Sequence, residues 1–140
     1  FMNFYYEGSQ GILFGEVPVT SGTQNRWSVT IAEDGRIQLW LTTGSRTAVS
    51  QAFESQPLAM DTMHNVSLIV QGGACRLRVD GEEATQLIPN FSAYSTSRVK
   101  RIGGTGEIQL AEALVYHAVL NETNFFRVEQ YMLDKNRAGN

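Results

Sequence analysis

The sequence is poor in the residues that form cross-links and reactive centres. It contains one cysteine, two histidines and three prolines among 140 residues. A single cysteine excludes an internal disulfide framework. Two histidines without clustered carboxylates do not indicate a zinc or catalytic centre. Cys75 is in phase with Leu77 and Val79, so we interpret it as a small core residue rather than a nucleophile.

Charge and long apolar runs are also scarce. Charged residues make up 18% of the chain and the net charge is −3, whereas nucleic-acid-binding domains usually carry a basic face. No apolar run approaches the roughly 20 residues of a membrane-spanning helix. We therefore expect neither nucleic acid nor membrane insertion among the partners. The length predicts a single domain over residues 1–140.

The most informative segment is residues 64–82, which reads as a β-hairpin followed by a second tight turn. Both arms alternate at a period of two, which places successive side chains on opposite faces of a sheet. Gly72 and Gly73 supply the positive φ that a short hairpin loop needs. Asp80-Gly81 then turns the chain again.

The remaining pattern predicts about ten short strands and one terminal helix. Beside the hairpin arms, strands are predicted over residues 1–6, 12–16, 26–32, 36–43, 47–53, 84–88, 99–102 and 108–116, with residues 54–63 as a loop. Asn121 can cap a helix on which Phe125, Val128 and Met132 form a stripe that packs on the sheets. These features predict an all-β fold, an antiparallel jelly-roll β-sandwich with a short C-terminal α-helix.

Two separate blocks resemble the concanavalin A-like lectin/glucanase superfamily, in its laminin G-like branch. MHNVSLIVQGGACRLRVDGE, residues 63–82, resembles the family's central strand pair. RIGGTGEIQLAEALVYHAVLNETNFFRVEQYM, residues 101–132, resembles its closing strand and helix. Met63 and His117 stand where the family usually has Trp and Asn. The same order of parts is found in the lectin-like domain attached to sialidases and trans-sialidases.

The resemblance implies a jelly-roll sandwich that binds a glycan or a protein at its loop rim or concave face. The first strands of a full domain are short or absent before Phe1, so part of one sheet could come from upstream sequence. The family's framework histidine falls on His64, for which a structural hydrogen-bonding role is expected.

The sequence gives little support for catalysis or metal binding. The glucanases of this superfamily carry alternate carboxylates on one strand as nucleophile and general acid. Here Glu82 and Glu83 are adjacent, and Glu107 and Glu112 are five residues apart, so both pairs split between the two faces. We expect no enzyme, with a glycoside hydrolase as the disfavoured alternative. No cofactor is expected, and calcium bound through Asp61 is the alternative.

Trp40 is the first candidate for ligand binding. It is out of phase with the apolar residues of its strand and shares the polar face with Gln38 and Thr42. An indole in this position can stack on a sugar ring while the amide and hydroxyl bond to sugar hydroxyls. The alternative is that a second layer covers this face.

Two further pairs of residues are candidates. Phe91 and Tyr94 lie in a polar loop, residues 89–97, and offer an aromatic surface for recognition or a plug beneath the loop. Arg76 and Arg78 share the outward face of the hairpin, where they could meet an acidic sugar or pair with neighbouring strands.

Three Asn-x-Ser/Thr sequons, at Asn65, Asn90 and Asn121, favour an extracellular or cell-surface location. We therefore predict a non-catalytic, lectin-like carbohydrate-binding module of a larger secreted or surface protein. The alternative is a protein-interaction or assembly domain whose partner is another domain or subunit.

Overall fold

A computed structural model describes residues 1–18, 26–42, 49–71, 74–84, 98–103, 108–116 and 118–138. These ranges contain ten strands and one helix. In chain order they are β1 (Met2–Tyr6), β2 (Gly11–Pro18), β3 (Arg26–Ile31), β4 (Arg36–Thr42), β5 (Val49–Pro57), β6 (Thr62–Gln71), β7 (Ala74–Val79), β8 (Glu82–Glu83), β9 (Arg98–Ile102), β10 (Gln109–Ala113) and α1 (Glu122–Ala138).

The strands form two antiparallel sheets of five strands each. The first sheet has the order β10-β1-β6-β7-β8, and the second has the order β5-β4-β3-β2-β9. Consecutive strands are neighbours in the β2–β5 meander and in the β6–β8 run. The predicted fold class, an antiparallel jelly-roll sandwich with a C-terminal helix, is confirmed.

The hydrophobic core lies between the two sheets. Alternate residues of each strand point inward, so each sheet contributes one apolar face. The buried core residues are Met2, Phe4, Tyr6, Val66, Leu77 and Val79 from the first sheet, and Leu13, Trp27, Val29, Ile31, Ile37 and Leu39 from the second.

The central hairpin has the predicted register. Val66 lies opposite Val79 and Leu68 opposite Leu77 in the β6–β7 pair. The following turn has two residues with positive φ, Asp80 at 52° and Gly81 at 84°. Two consecutive left-handed residues are typical of a type I′ turn, whose twist matches that of the strands it joins.

The helix covers the outer face of the first sheet. Asn121 caps it as predicted, because its Oδ1 accepts a 2.9 Å hydrogen bond from the backbone N–H of Asn124. The Asn3 side-chain amide donates to the Met132 carbonyl over 2.8 Å and ties α1 to β1. Phe125 and Met132 are buried as predicted, whereas Val128 is only half-buried.

Several predicted boundaries are wrong. β5 continues to Pro57 through residues predicted as loop, because Glu54 and Pro57 still pair with Gln38 and Arg36 of β4, with a register shift between the two pairs. There the Ile37 N–H donates to Ser55 Oγ over 2.9 Å.

The last predicted strand is shorter than expected. β10 ends at Ala113, since the next residue, Leu114, already reaches the start of β1 through its 2.9 Å bond to the Phe1 carbonyl. β8 covers Glu82–Glu83, directly before the strand predicted over residues 84–88, of which residues 85–88 lie outside the described ranges.

Candidate functional site

The outer face of the second sheet carries Trp40. Ser28 lies opposite Trp40 in the β3–β4 pair, and Thr30 lies opposite Gln38. Directly opposed residues point to the same side of a sheet. The same register adds residues from β2 and β5, and we call this surface the Trp40 face: Ile12, Gly15, Ser28, Thr30, Gln38, Trp40 and Glu54. By register, Arg26, Thr42, Gln51 and Arg101 also belong to this face, although their side chains are not described.

The indole of Trp40 is held by its own sheet. Its N–H donates to Thr30 Oγ1 over 3.1 Å and to Gln38 Oε1 over 3.2 Å. Both acceptors lie one cross-strand row away from Trp40, so the indole leans along the sheet toward that row. The residue is half-buried, whereas Ile37 and Leu39 are fully buried on the core side. The predicted phase of this strand is confirmed.

A polar pair flanks the indole. The Gln38 side-chain amide donates to Glu54 Oε1 over 2.9 Å, while its oxygen accepts from Trp40. These two bonds fix the orientation of the amide. Glu54 is solvent-exposed at the end of this chain of bonds. The indole, the amide and the carboxylate therefore form one hydrogen-bonded group on a rigid strand pair.

The cross-strand row of Trp40 continues with small residues on β3 and β2. Gly15 lies opposite Ser28, and a Cβ placed on Gly15 would come within 2.9 Å of the Ser28 Cβ and 2.8 Å of the Trp27 carbonyl oxygen. Such distances are closer than van der Waals contact, so a larger residue would require a backbone shift. Position 15 therefore adds no side chain to the surface beside Trp40.

Arg76 and Arg78 lie on the outer face of the other sheet. Arg78 Nε contacts both Glu129 oxygens, at 2.9 and 3.1 Å, and Glu129, on the buried side of α1, is only 3% exposed. Ser67 Oγ donates to the same carboxylate over 2.8 Å. Both guanidinium groups also pair with Glu83. In this arrangement the two arginines pair with neighbouring elements, which is the alternative to binding an acidic sugar.

Electrostatic and aromatic contacts strengthen the pairing of Arg76 and Arg78 with Glu83 and α1. Burial works against the charged form of Glu83, but hydrogen bonds from Arg76 and Arg78 prevail and lower its pKa. The Arg78 guanidinium carbon also lies 5.2 Å from the centroid of the Phe126 ring, within cation–π range. The two arginines thus hold α1 against the first sheet. The hydrophobic core lies between them and Trp40, which is on the second sheet.

The structure does not describe the side chains of several other predicted site residues. Phe91 and Tyr94 fall outside the described residues, as does His117. The side chains of Thr42 and Cys75 are likewise not described, although the backbone of Thr42 continues β4 two residues beyond Trp40. The structure therefore brings together Trp40 and Gln38 from the predicted set.

Comparison with known protein families matches residues 5–127 to the laminin G domain. The chain belongs to the laminin G domain family. Laminin G domains are non-catalytic binding modules, and they typically occur in extracellular or surface proteins. Comparisons with curated proteins and with solved structures returned no match. The likeness to sialidase-associated lectin domains has no support in these comparisons.

The histidine of the central hairpin has a structural role in this laminin G domain. His64 Nδ1 lies 2.7 Å from Asp80 Oδ2, and Nε2 lies 2.8 Å from the Ala59 carbonyl oxygen. Burial favours the neutral ring, but these two acceptors outweigh it and raise the pKa of His64 above its ordinary value. The expected hydrogen-bonding role is confirmed.

The described part of this laminin G domain offers no cluster of three or more His, Cys, Asp or Glu side chains that could hold a metal ion. Asp61, the residue considered for calcium, is exposed at a positive φ of 55°, and its N–H donates to the Tyr6 carbonyl. No helix within the described ranges is long and apolar enough to cross a membrane.

Two residues of the Trp40 face escaped the sequence analysis. Thr30 alternates with Val29 and Ile31 on β3, and the Glu33-Asp34-Gly35 turn of the sequence could have aligned it with Gln38. Glu54 was assigned to a loop, because the irregular β4–β5 pairing leaves no clear alternation there. Neither residue was recognised as a partner of the indole or the amide.

Proposed function

We propose that this laminin G domain is a non-catalytic carbohydrate-binding module of a larger secreted or surface protein, and that the glycan binds on the Trp40 face. The proposal rests on one observation: a half-buried indole on an outer sheet face, whose N–H is already bonded to Thr30 and Gln38. A side chain held in this way presents a fixed apolar surface to a ligand.

Pre-orientation is the physical advantage of this arrangement. Binding loses less side-chain freedom when the ring is already held by two hydrogen bonds. The C–H face of a pyranose can stack on the indole, while Gln38 and Glu54 offer polar atoms to its hydroxyls. Thr42, on the same face by strand phase, extends the polar surface on the other side of Trp40.

The expected affinity is weak. Aromatic stacking contributes about 1 kcal/mol, so one domain should bind with a Kd in the millimolar to high micromolar range. Affinity of this order becomes useful when several copies act together. Arg76 and Arg78 are left out of the proposed site, because carboxylates of β8 and α1 already engage them. Phe91 and Tyr94 remain a predicted second contact.

A glycan array probed with the domain in multivalent form tests the proposal. We expect binding that Trp40→Ala removes, with a melting temperature close to that of the wild type. Tyr131→Ala is the matched control, because Tyr131 is also an exposed aromatic residue but lies on α1. An empty array, or binding that Trp40→Ala leaves intact, would contradict the proposed site.

Protein binding is the second candidate function. Leu110, Val115, Tyr116 and Val119 are exposed along and just after β10, an outermost strand of the first sheet among the described strands. Exposed apolar residues at a sheet edge are a feature of protein interfaces. Binding of a protein partner that Leu110→Lys abolishes and Trp40→Ala leaves unchanged would favour this alternative.

A further inference from the structure

We propose that Asn121 is an acceptor site for N-linked glycosylation and that the sequon at Asn65 is not modified in the folded domain. The structure describes every residue of these two Asn-x-Ser/Thr sequons. They differ in burial and in the bonds of the Asn amide nitrogen, which is the atom that would carry the glycan. The inference goes beyond the proposed glycan binding and shares with it only the secreted or surface location.

Asn121 is presented to solvent at the start of α1. Asn121, Glu122 and Thr123 are all exposed. Asn121 Oδ1 accepts the 2.9 Å bond from the Asn124 N–H, and within the described residues its Nδ2 donates to no protein group. An Asn side chain has an acceptor oxygen and two N–H donors, so the helix cap uses the oxygen alone. The amide nitrogen is therefore available for modification.

The covalent step leaves the helix cap intact. The donor is a lipid-diphosphate-linked oligosaccharide, and an oligosaccharyltransferase of the secretory pathway catalyses the transfer. The bond between the sugar C1 and the diphosphate oxygen breaks, and the lipid diphosphate leaves. Asn121 Nδ2 forms a bond to C1 and gives up one proton. The product is still an amide, so its Oδ1 can still accept from the Asn124 N–H.

Asn65 has the opposite environment. Asn65 and Ser67, the first and third residues of its sequon, are fully buried on β6. Asn65 Nδ2 donates to Asn3 Oδ1 over 2.8 Å and to the Met2 carbonyl over 3.4 Å. A glycan at this nitrogen would separate β6 from β1 and would leave buried polar groups without partners. A chain modified there during synthesis should therefore fail to fold and should not be secreted.

The two proposals concern opposite sides of the sandwich. Asn121 begins the helix that covers the first sheet, whereas the Trp40 face is the outer surface of the second sheet. A glycan on Asn121 leaves the Trp40 face open, so its loss should not change glycan binding.

Peptide mapping of the domain secreted from a eukaryotic expression host tests the inference. Trypsin cuts after Lys and Arg and places the three sequons in separate peptides, residues 47–76, 79–98 and 102–127. Peptide-N-glycosidase F in ¹⁸O-water converts each glycosylated Asn into an ¹⁸O-labelled Asp. We expect the label in peptide 102–127, which contains Asn121, and no label in peptide 47–76, which contains Asn65.

Three variants are the controls. Thr123→Ala should remove the label from peptide 102–127, whereas Thr123→Ser, which keeps the sequon, should retain it. Asn121→Asp keeps a capping oxygen but lacks the amide nitrogen, so it should be folded and secreted without the label.

Secreted protein with an unlabelled peptide 102–127, or with the label in peptide 47–76, would overturn the inference. Neither result would alter the glycan-array test of the Trp40 face, which can be made with Thr123→Ala. Binding that Trp40→Ala leaves intact would in turn contradict the Trp40 site and leave the modification site standing.

Discussion

Replacing Arg78 by Met should destabilise the domain strongly, because it leaves a buried carboxylate without its cation. The Nε–H of Arg78 is shared between both oxygens of Glu129, whose side chain is 4% exposed compared with 13% for Arg78. Met keeps most of the apolar stem of Arg78, so the change removes mainly the charge and its hydrogen bonds. Bonds from Arg78 to Glu83 and to the Gly81 carbonyl are lost as well.

The magnitude follows from the burial of the pair. Removing one partner of a buried ion pair costs about 3–5 kcal/mol, since the remaining charge stays desolvated. Glu129→Gln added to Arg78→Met removes that charge, and its amide can still accept the Ser67 hydroxyl hydrogen bond. The double variant should therefore recover about 1–3 kcal/mol relative to Arg78→Met alone.

Urea unfolding monitored by circular dichroism measures both differences. The reasoning would be refuted by a loss below about 0.5 kcal/mol in Arg78→Met, which is typical of ordinary surface changes. It would also be refuted by a double variant less stable than Arg78→Met, because the ion pair would then not be the source of the loss.

Three further predictions concern the framework. The raised pKa of His64 means that its bonds stabilise the fold fully below about pH 6.5 and that this stabilisation is lost as the pH rises through the folded-state pKa. The stability difference between wild type and His64→Asn, whose amide can still donate to Asp80 but does not titrate, should decrease with rising pH; a difference that grows with pH would refute this. Leu77→Ala should cost about 2–5 kcal/mol in urea unfolding, since Leu77 is fully buried, and a loss below about 0.5 kcal/mol would show that the β7 register is wrong. Gly81→Ala should cost about 1–2 kcal/mol, because Gly81 has a φ of 84° and an added Cβ would lie 3.2 Å from Leu133 Cδ1; an unchanged urea midpoint would contradict this.

The core-facing side of the sandwich could be predicted from the sequence because alternation at a period of two is a local signal. Ile37 and Leu39 point inward and Trp40 outward, as the phase of β4 requires. The same reasoning correctly identified the hairpin around Leu77 and its Asp-Gly turn. In these segments the side of the sheet to which a residue points can be predicted from its immediate neighbours in the sequence.

Contacts between distant segments could not be predicted in the same way. Ser67 looks like an ordinary outward residue, yet it is fully buried because Glu129, 62 residues later, reaches it from α1. Glu54 joins Gln38 because β5 pairs with β4 through residues predicted as loop. A single sequence gives no signal for which carboxylate meets which polar residue, so half of the candidate site emerged only from the structure.

The most direct test of a glycan site on the Trp40 face is the indole N–H resonance of Trp40. The chain has two tryptophans, so the indole region of a ¹⁵N–¹H correlation spectrum should hold two signals, and Trp40→Phe identifies the one from Trp40. During titration with the best-bound glycan from the array, the Trp40 signal should move saturably while that of Trp27, buried in the core, stays in place. A glycan that binds without moving the Trp40 signal would contradict the proposed site.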